Sequence, residues 1–355
     1  MPIQTAADSI SNSAGSPYGF KNRIINGGMV IDQRNAGASV NNDITGSQYC
    51  LDRWNIYGTQ ASKFSVQQNA GSVTPPSGFS YYAGCTSSSA YSVGSTDTFL
   101  IQQCIEGFNT ADLGWGTANA QAVTLSFWVR SSLTGTFGGS LSNSAFNYSY
   151  PYSYTINSAN TWEQKSITIS GPTAGTWIGA TNGLGIRVTW SLGSGSSASG
   201  TAGSWTASGY RSVTGAVSVV GTNGATFYIT GVQLEKGSQA TAFDWRDYGR
   251  EFIMCQRYFQ KAPFLFGAAI NTTTLGVGYV YPVAMRATPT KTLLTSTPYA
   301  EVPDTTGYTA SSASFNNSTS SAFSAELRIA GFSGLTSGRA PMWLAENQIS
   351  FSAEL

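Results

Sequence analysis

The chain is expected to be all-β: a large sandwich or barrel, one short helix and a small C-terminal β domain. Three observations predict this. In "QAVTLSFWVRSS" the residues Val123, Leu125, Phe127 and Val129 alternate with Thr124, Ser126, Trp128 and Arg130, the period of two that puts successive side chains on opposite faces of a strand. Many similar short runs are separated by Gly, Asn, Ser and Pro, as in turn-linked sheets. Before residue 247 no stretch carries the period of an amphipathic helix of ordinary length.

Taken in order, residues 1–22 are small, polar and aperiodic, an arm expected to be ordered only by a partner. Residues 23–246 form the sandwich. "DRWNIYG" and "SKFSVQQ" are expected to pair, followed by "TFLIQQCIEG" and "QAVTLSFWVRSS". Then "FNYSYPYSYTIN" places Phe146, Tyr148, Tyr150, Tyr152, Tyr154 and Ile156 on one face. "TWEQKSITIS", "LGIRVTWSLG" and "ATFYITGVQLEKG" are further strands, and the low-complexity stretch Gly193 to Gly209 is loop. In residues 247–261, Tyr248, Phe252, Cys255 and Phe259 recur at steps of four, three and four behind a capping Asp247, which predicts a connecting amphipathic helix with those four as its packing stripe. Residues 262–355 resume the β pattern in "GVGYVYPVAM", "TKTLLTS", "SAFSAELRIAG" and "NQISFSAEL". Large apolar residues are sparse there, so a core shared between copies of the chain is expected.

Composition narrows the function. Lys plus Arg number 18 against 17 Asp plus Glu, leaving no long-range field to attract nucleic acid or an anionic membrane. Charged residues make up 10% of the chain, where a typical soluble domain carries about a quarter; Ser, Thr, Asn, Gln and Gly must solvate the surface. Histidine is absent, which excludes Ser-His-Asp and Cys-His catalysis and His-containing zinc sites. Cys50, Cys85, Cys104 and Cys255 form no C-x-x-C pair and read as buried free thiols, a Cys85–Cys104 bridge requiring neighbouring strands. The N-terminus lacks the basic and apolar regions of a signal peptide, and no apolar run has membrane-spanning length. No membrane insertion is expected, and action outside a cell would need release by host lysis.

A resemblance adds to this reading. "FKNRIINGGMVIDQRNAG", "LDRWNIYG", "QQCIEG", "VTLSFWVRSS", "TWEQKSITISG", "TFYITGVQLEKGSQATAFDWRDYGREFIMCQRYFQK" and "YPVAMRATPT", from about Phe20 to about Pro289, resemble a family of tailed-bacteriophage and prophage virion proteins, tail-fibre or minor structural proteins. The resemblance implies a jelly-roll sandwich like a carbohydrate-binding module and a multimer, expected here as a homotrimer. It also implies an N-terminal arm that attaches to other virion proteins and a distal β domain that is exposed. The expected role is attachment of the particle to a bacterial surface glycan, with the protein located in the virion after assembly in the host cytoplasm. A capsid decoration or head-fibre protein without receptor is one alternative, and a polysaccharide depolymerase another.

Candidate sites follow from residue type. An aromatic row can stack on pyranose rings, but it can also line a core. Because the stripe ends in Ile156, and Asn147, Ser149, Pro151, Ser153 and Thr155 resemble a solvated face, an inner wall is expected, with Tyr148 and Tyr150 emerging at one end. The tyrosine hydroxyls are expected to reach solvent or a backbone partner. Trp205 and Tyr210 flank an unpatterned loop and Trp115 lies in "DLGWGTAN"; all three are ligand-binding candidates, or lids folded over the sandwich. Asp97, Glu106, Asp112 and Glu163 show no local pairing of the kind a glycosidase needs, so no enzyme is expected. No cofactor is implied, and although a structural calcium suits a jelly roll, no D-x-D-x-D-G loop occurs. Glu235, Lys236, Asp244, Arg246, Asp247, Arg250 and Glu251 are concentrated in one stretch, either a network orienting the helix against the sandwich or a neighbouring subunit, or a solvated turn.

Overall fold

The computed structural model describes residues 20–302, 306–316, 318–340 and 342–355; the expected attachment arm lies, up to residue 19, outside the described residues. The chain divides into two compact units, one ending at Arg246 and including the terminal Leu355, the other Asp247–Glu354.

The first unit is a jelly-roll β-sandwich. Its strands are β1 (Val40–Asn41), β2 (Gly46–Leu51), β3 (Trp54–Gly58), β4 (Phe64–Gln68), β5 (Ala83–Ser87), β6 (Thr98–Glu106) and β7 (Val123–Ser131). They continue with β8 (Gly135–Ser142), β9 (Ser149–Ile156), β10 (Glu163–Ile169), β11 (Leu184–Ser194), the short β12 (Ser199–Gly200) and β13 (Ser212–Val213), and β14 (Thr226–Lys236). One six-stranded sheet has the order β1-β4-β5-β14-β7-β10 and the other β2-β3-β6-β11-β8-β9. The chain passes repeatedly between them, so neighbours in sequence often lie in different layers.

The alternation seen in sequence forms the core between the layers. Val123, Leu125, Phe127 and Val129 of β7 are buried, as are Phe99 and Ile101 of β6 and Val188 and Trp190 of β11. Trp190 meets Trp54 at 5.6 Å and, edge to face, Phe127 of the opposing sheet at 5.6 Å, the offset geometry that aromatic quadrupoles favour. The expected pairing of "DRWNIYG" with "SKFSVQQ" does not form: β3 pairs with β2 and β6, whereas β4 pairs with β1 and β5. A jelly roll sends these consecutive strands to different sheets. Likewise Cys85 and Cys104 fall in opposite sheets, and all four cysteines are free and buried. Burial pushes the Cys50 thiol up to about 12 and Cys85 higher still, which suppresses thiolate chemistry.

Residues Asn22–Ile31 are built into this unit. The Asn22 amide bonds the N–H groups of Ile24 and Leu234 and the carbonyl of Val232. Arg246 donates to the carbonyls of Ile24 and Asn22. Glu235 accepts from Thr241 N–H and Oγ1 and from Gln233 Nε2. Glu235 therefore closes the turn after β14, and Arg246 fastens the chain's entry segment. Asp247 caps the helix, accepting from Arg250 N–H at 2.9 Å.

In the second unit helix α1 spans Tyr248–Gln256, shorter than expected, because Phe259 opens the strand Phe259–Lys261. The four-residue stripe is not uniformly buried. Cys255 and Phe259 are enclosed, but Phe252 is half-buried and Tyr248 is 63% exposed, its ring stacked on Phe252 at 6.0 Å. A three-stranded and an eight-stranded sheet follow. They enclose a core that includes Leu275, Val277, Leu327, Ile329, Leu344 and Phe351.

Candidate functional site

The start of β7, the end of β10, the start of β9 and the start of β11 meet at one end of the sandwich, as the pairings Val123–Ile169 and Ser142 with both Ser149 and Arg187 require. The connections there each carry an aromatic residue. Trp115 precedes β7, Tyr148 precedes β9, Trp177 precedes β11, and Trp205 lies between β12 and β13. Trp205 is the hub. Its ring lies 5.4 Å from Trp115, 5.3 Å from Trp177 and 5.3 Å from Tyr150, and it stacks on Tyr148 at 5.9 Å with an interplanar angle of 9°. Trp115 and Trp177 meet edge to face at 4.8 Å.

Local structure fixes these rings. Each indole N–H is spent on a backbone carbonyl: Trp115 on Gln121, Trp177 on Ala174 and Trp205 on Ser170. Gly175, at φ +86°, runs so close beneath the rings that a Cβ there would stand 3.0 Å from Tyr148, a place and a conformation suited only to glycine. Trp115 and Tyr150 are buried, and burial raises the Tyr150 phenol, whereas Tyr148, Trp177 and Trp205 keep part of their surface in solvent. A cavity of about 80 Å³ between Trp115, Trp177, Ile178 and Ile186 holds no more than a few waters at about 30 Å³ each. The cluster thus offers an aromatic surface and not a sugar-sized pocket.

The sequence candidates are therefore divided. Trp115, Trp205, Tyr148 and Tyr150 come together. Tyr210 stands apart, its ring lying over Gly200 and its N–H donating to Ser149 Oγ. Trp177 was missed, although it occupies a glycine-bounded loop, "AGTWIGATNG", by the same criterion that singled out Trp115. The rest of the tyrosine stripe is wall: Tyr152, Tyr154 and Ile156 are buried. Tyr152 donates to Thr189 O at 2.7 Å, but the buried Tyr154 hydroxyl has no partner, against expectation. The opposite face is also only half as expected. Ser153 and Thr155 are exposed, but Ser149 and Pro151 are buried because the 193–213 segment folds over them, pairing Ser149 with Thr206.

The scattered carboxylates are engaged within the fold. Asp112 receives both terminal nitrogens of Arg23 at 2.8 Å. Burial works to raise the Asp97 pKa, but hydrogen bonds from Tyr91, Gly94 N–H and Thr59 prevail and hold it below its ordinary value. Glu163 accepts from Lys165, Ser158 N–H and Asn157. Among the described residues no three His, Cys, Asp or Glu side chains gather as a metal site.

No protein-family profile and no curated protein sequence matches the chain. Solved structures do resemble it at low identity. The enzymatically active domain of tailspike protein 4 from bacteriophage CBA120 aligns with 61% of the chain at 12% identity and a TM-score of 0.33; this chain spans 21% of that one's length. A putative sugar-binding protein from Bacteroides thetaiotaomicron aligns over 61% of this chain and 100% of its own, at 12% identity and a TM-score of 0.35. The family 11 carbohydrate-binding module of Clostridium thermocellum aligns over 56% and 99%, at 11% identity and a TM-score of 0.28.

Proposed function

We propose that the chain is a non-catalytic bacteriophage virion protein of tail-fibre type whose sandwich attaches to a bacterial surface glycan through Tyr148, Trp177 and Trp205. One observation carries the glycan reading: three rings of a five-ring cluster remain partly open at the end of a sandwich already filled by other aromatics. The indole N–H groups are satisfied internally, so what faces outward is ring surface, which stacks on the C–H faces of pyranose rings. Virion membership is supported by the motif resemblance between Phe20 and Pro289. Self-association, as a homotrimer, is supported by α1, where Tyr248 and Ile253 remain 63% and 52% exposed; light scattering of a Phe252→Asp variant is expected to show a fall in mass.

The glycan reading is tested on an array of bacterial capsular, lipopolysaccharide and wall polysaccharides. Wild-type protein is expected to bind, and Trp177→Ala and Tyr148→Ala to lose at least tenfold in affinity while retaining the far-UV spectrum. Absence of binding, as for a head decoration protein, overturns the reading, as does equal binding by both variants. Release of shorter fragments from a bound polysaccharide would replace it with depolymerisation.

A further inference from the structure

Beside the aromatic cluster lies a second feature that stacking does not explain. The turn Asn143–Tyr148 is tied by Asn143 Oδ1, which accepts from the N–H groups of Asn147 and Tyr148. It presents Phe146 to two cations: the guanidinium of Arg187 lies 4.3 Å from its ring centroid and that of Arg211 4.2 Å. Arg187 comes from β11, on the face turned away from Val188 and Trp190, where its strand partners are Cys104 and Ser142. Arg211 comes from the covering segment, where its N–H bonds Ala198 O and its carbonyl accepts from Thr189 Oγ1.

Neither arginine forms an ion pair with a carboxylate of the described residues. Among the described residues Arg23, Lys165, Lys236, Arg246 and Arg328 all form ion pairs, but Arg187 makes no side-chain hydrogen bond, and Arg211 makes only a long one, 3.4 Å to Gly209 O. Arg187 Nε and Nη1 are buried without an acceptor, although the residue as a whole keeps some surface in solvent. Buried guanidinium donors are almost always satisfied. Burial lowers the Arg211 pKa; Arg187 lowers it further, against an opposing effect of Tyr57. Two un-neutralised cations on one ring, in a chain whose formal net charge is +1, make a local positive site. Both guanidinium groups lie over the one ring, and guanidinium donors bind oxyanions through paired hydrogen bonds.

We infer that Arg187 and Arg211 form an anion subsite next to the ring cluster, so that the glycan bound here carries an acidic substituent. The inference rests on the glycan reading and specifies the ligand: an anionic saccharide, its charge a carboxylate or a phosphate, with neutral sugar rings on Tyr148, Trp177 and Trp205. Phe146 positions the two guanidinium groups and makes no polar contact with the ligand.

The test uses the full chain and three classes of polymer: uronic-acid polysaccharide, phosphate-bearing teichoic-type polymer and neutral glucan. Binding confined to either or both acidic classes is expected, and chemical reduction of the uronic carboxyl groups separates the two sources of charge. Arg187→Gln and Arg211→Gln are each expected to weaken that binding at least tenfold with an unchanged near-UV spectrum. Because Arg187→Gln also removes packing on Phe146, the salt dependence of wild-type binding is the second measure: affinity is expected to fall several-fold between 50 and 500 mM NaCl as the Debye length shrinks from about 14 to about 4 Å. Binding to neutral glucan that needs Trp177 but neither arginine, and is indifferent to salt, overturns this inference and leaves the glycan reading standing. Binding to no polymer in any class overturns both.

Discussion

The two halves of the tyrosine stripe are built from the same residue type and put to opposite uses. Tyr152 and Tyr154 lie between the layers, Tyr154 against Phe127 and Phe137, and Tyr152 lies across the strand from Gly139, which leaves room for its ring. Tyr148 precedes the strand, stacks flat on Trp205 and meets solvent. Composition and periodicity cannot separate the two halves. The difference arises where β9 starts: beyond its first pairing with β8 the opposing sheet no longer covers the rings, and only loop residues reach them.

Variants test how sharp this division is. Tyr152→Ala is expected to cost about 3–5 kcal/mol by urea denaturation, as for buried aromatic truncations, whereas Tyr148→Ala should cost about 1 kcal/mol and act on binding. Comparable losses for the two would make the open end part of the core. At the closed end the chain leaving Ile156 is anchored by Glu163, which accepts from Asn157 and Ser158. Burial works to raise the Glu163 pKa, but Lys165 and these N–H donors bring it down from 4.5 to about 2. A carboxylate with a depressed pKa stabilises the fold above its unfolded value and loses that contribution as pH falls toward the folded one. Glu163→Gln should therefore lower the melting temperature at pH 7 by about 2–4 °C, and the two melting curves should converge between pH 4.5 and 2. A constant offset across that range would show that the anchor is not ionic. The smallest effects should come from hydroxyl removal. Tyr152→Phe is expected to lose about 1 kcal/mol with its bond to Thr189, and Tyr154→Phe to be neutral or to gain up to about 1 kcal/mol, since its hydroxyl is buried without a partner. Equal losses for the two would place an acceptor at Tyr154.

Much of this was legible in the sequence because it is local. The inward face of β7 and the capped start of α1 depend on residues within one element, and period and cap reveal them. Sheet membership was not, because whether β3 pairs with β4 or β6 is decided by residues some forty positions away. The strand β8, "GTFGGSLS", shows little alternation: Gly138 and Gly139 are small so that Ser212 and Tyr152 can lie over them. For the same reason Ser149 and Pro151 resembled a wet face; the segment that covers them arrives from beyond residue 193. The site was visible as isolated tryptophans, but their convergence on Trp205 depends on four connections meeting at one end.

The fastening of Asn22 and Ile24 by Arg246 has a mechanical consequence. Tension applied between the entry of the sandwich near residue 20 and its exit at residue 246 meets this clasp first, together with the Arg23–Leu234 backbone bond and the contact of Lys21 with Ala242. Force is thereby shunted across neighbouring ends of the polypeptide, and the strands of the two layers are spared shear.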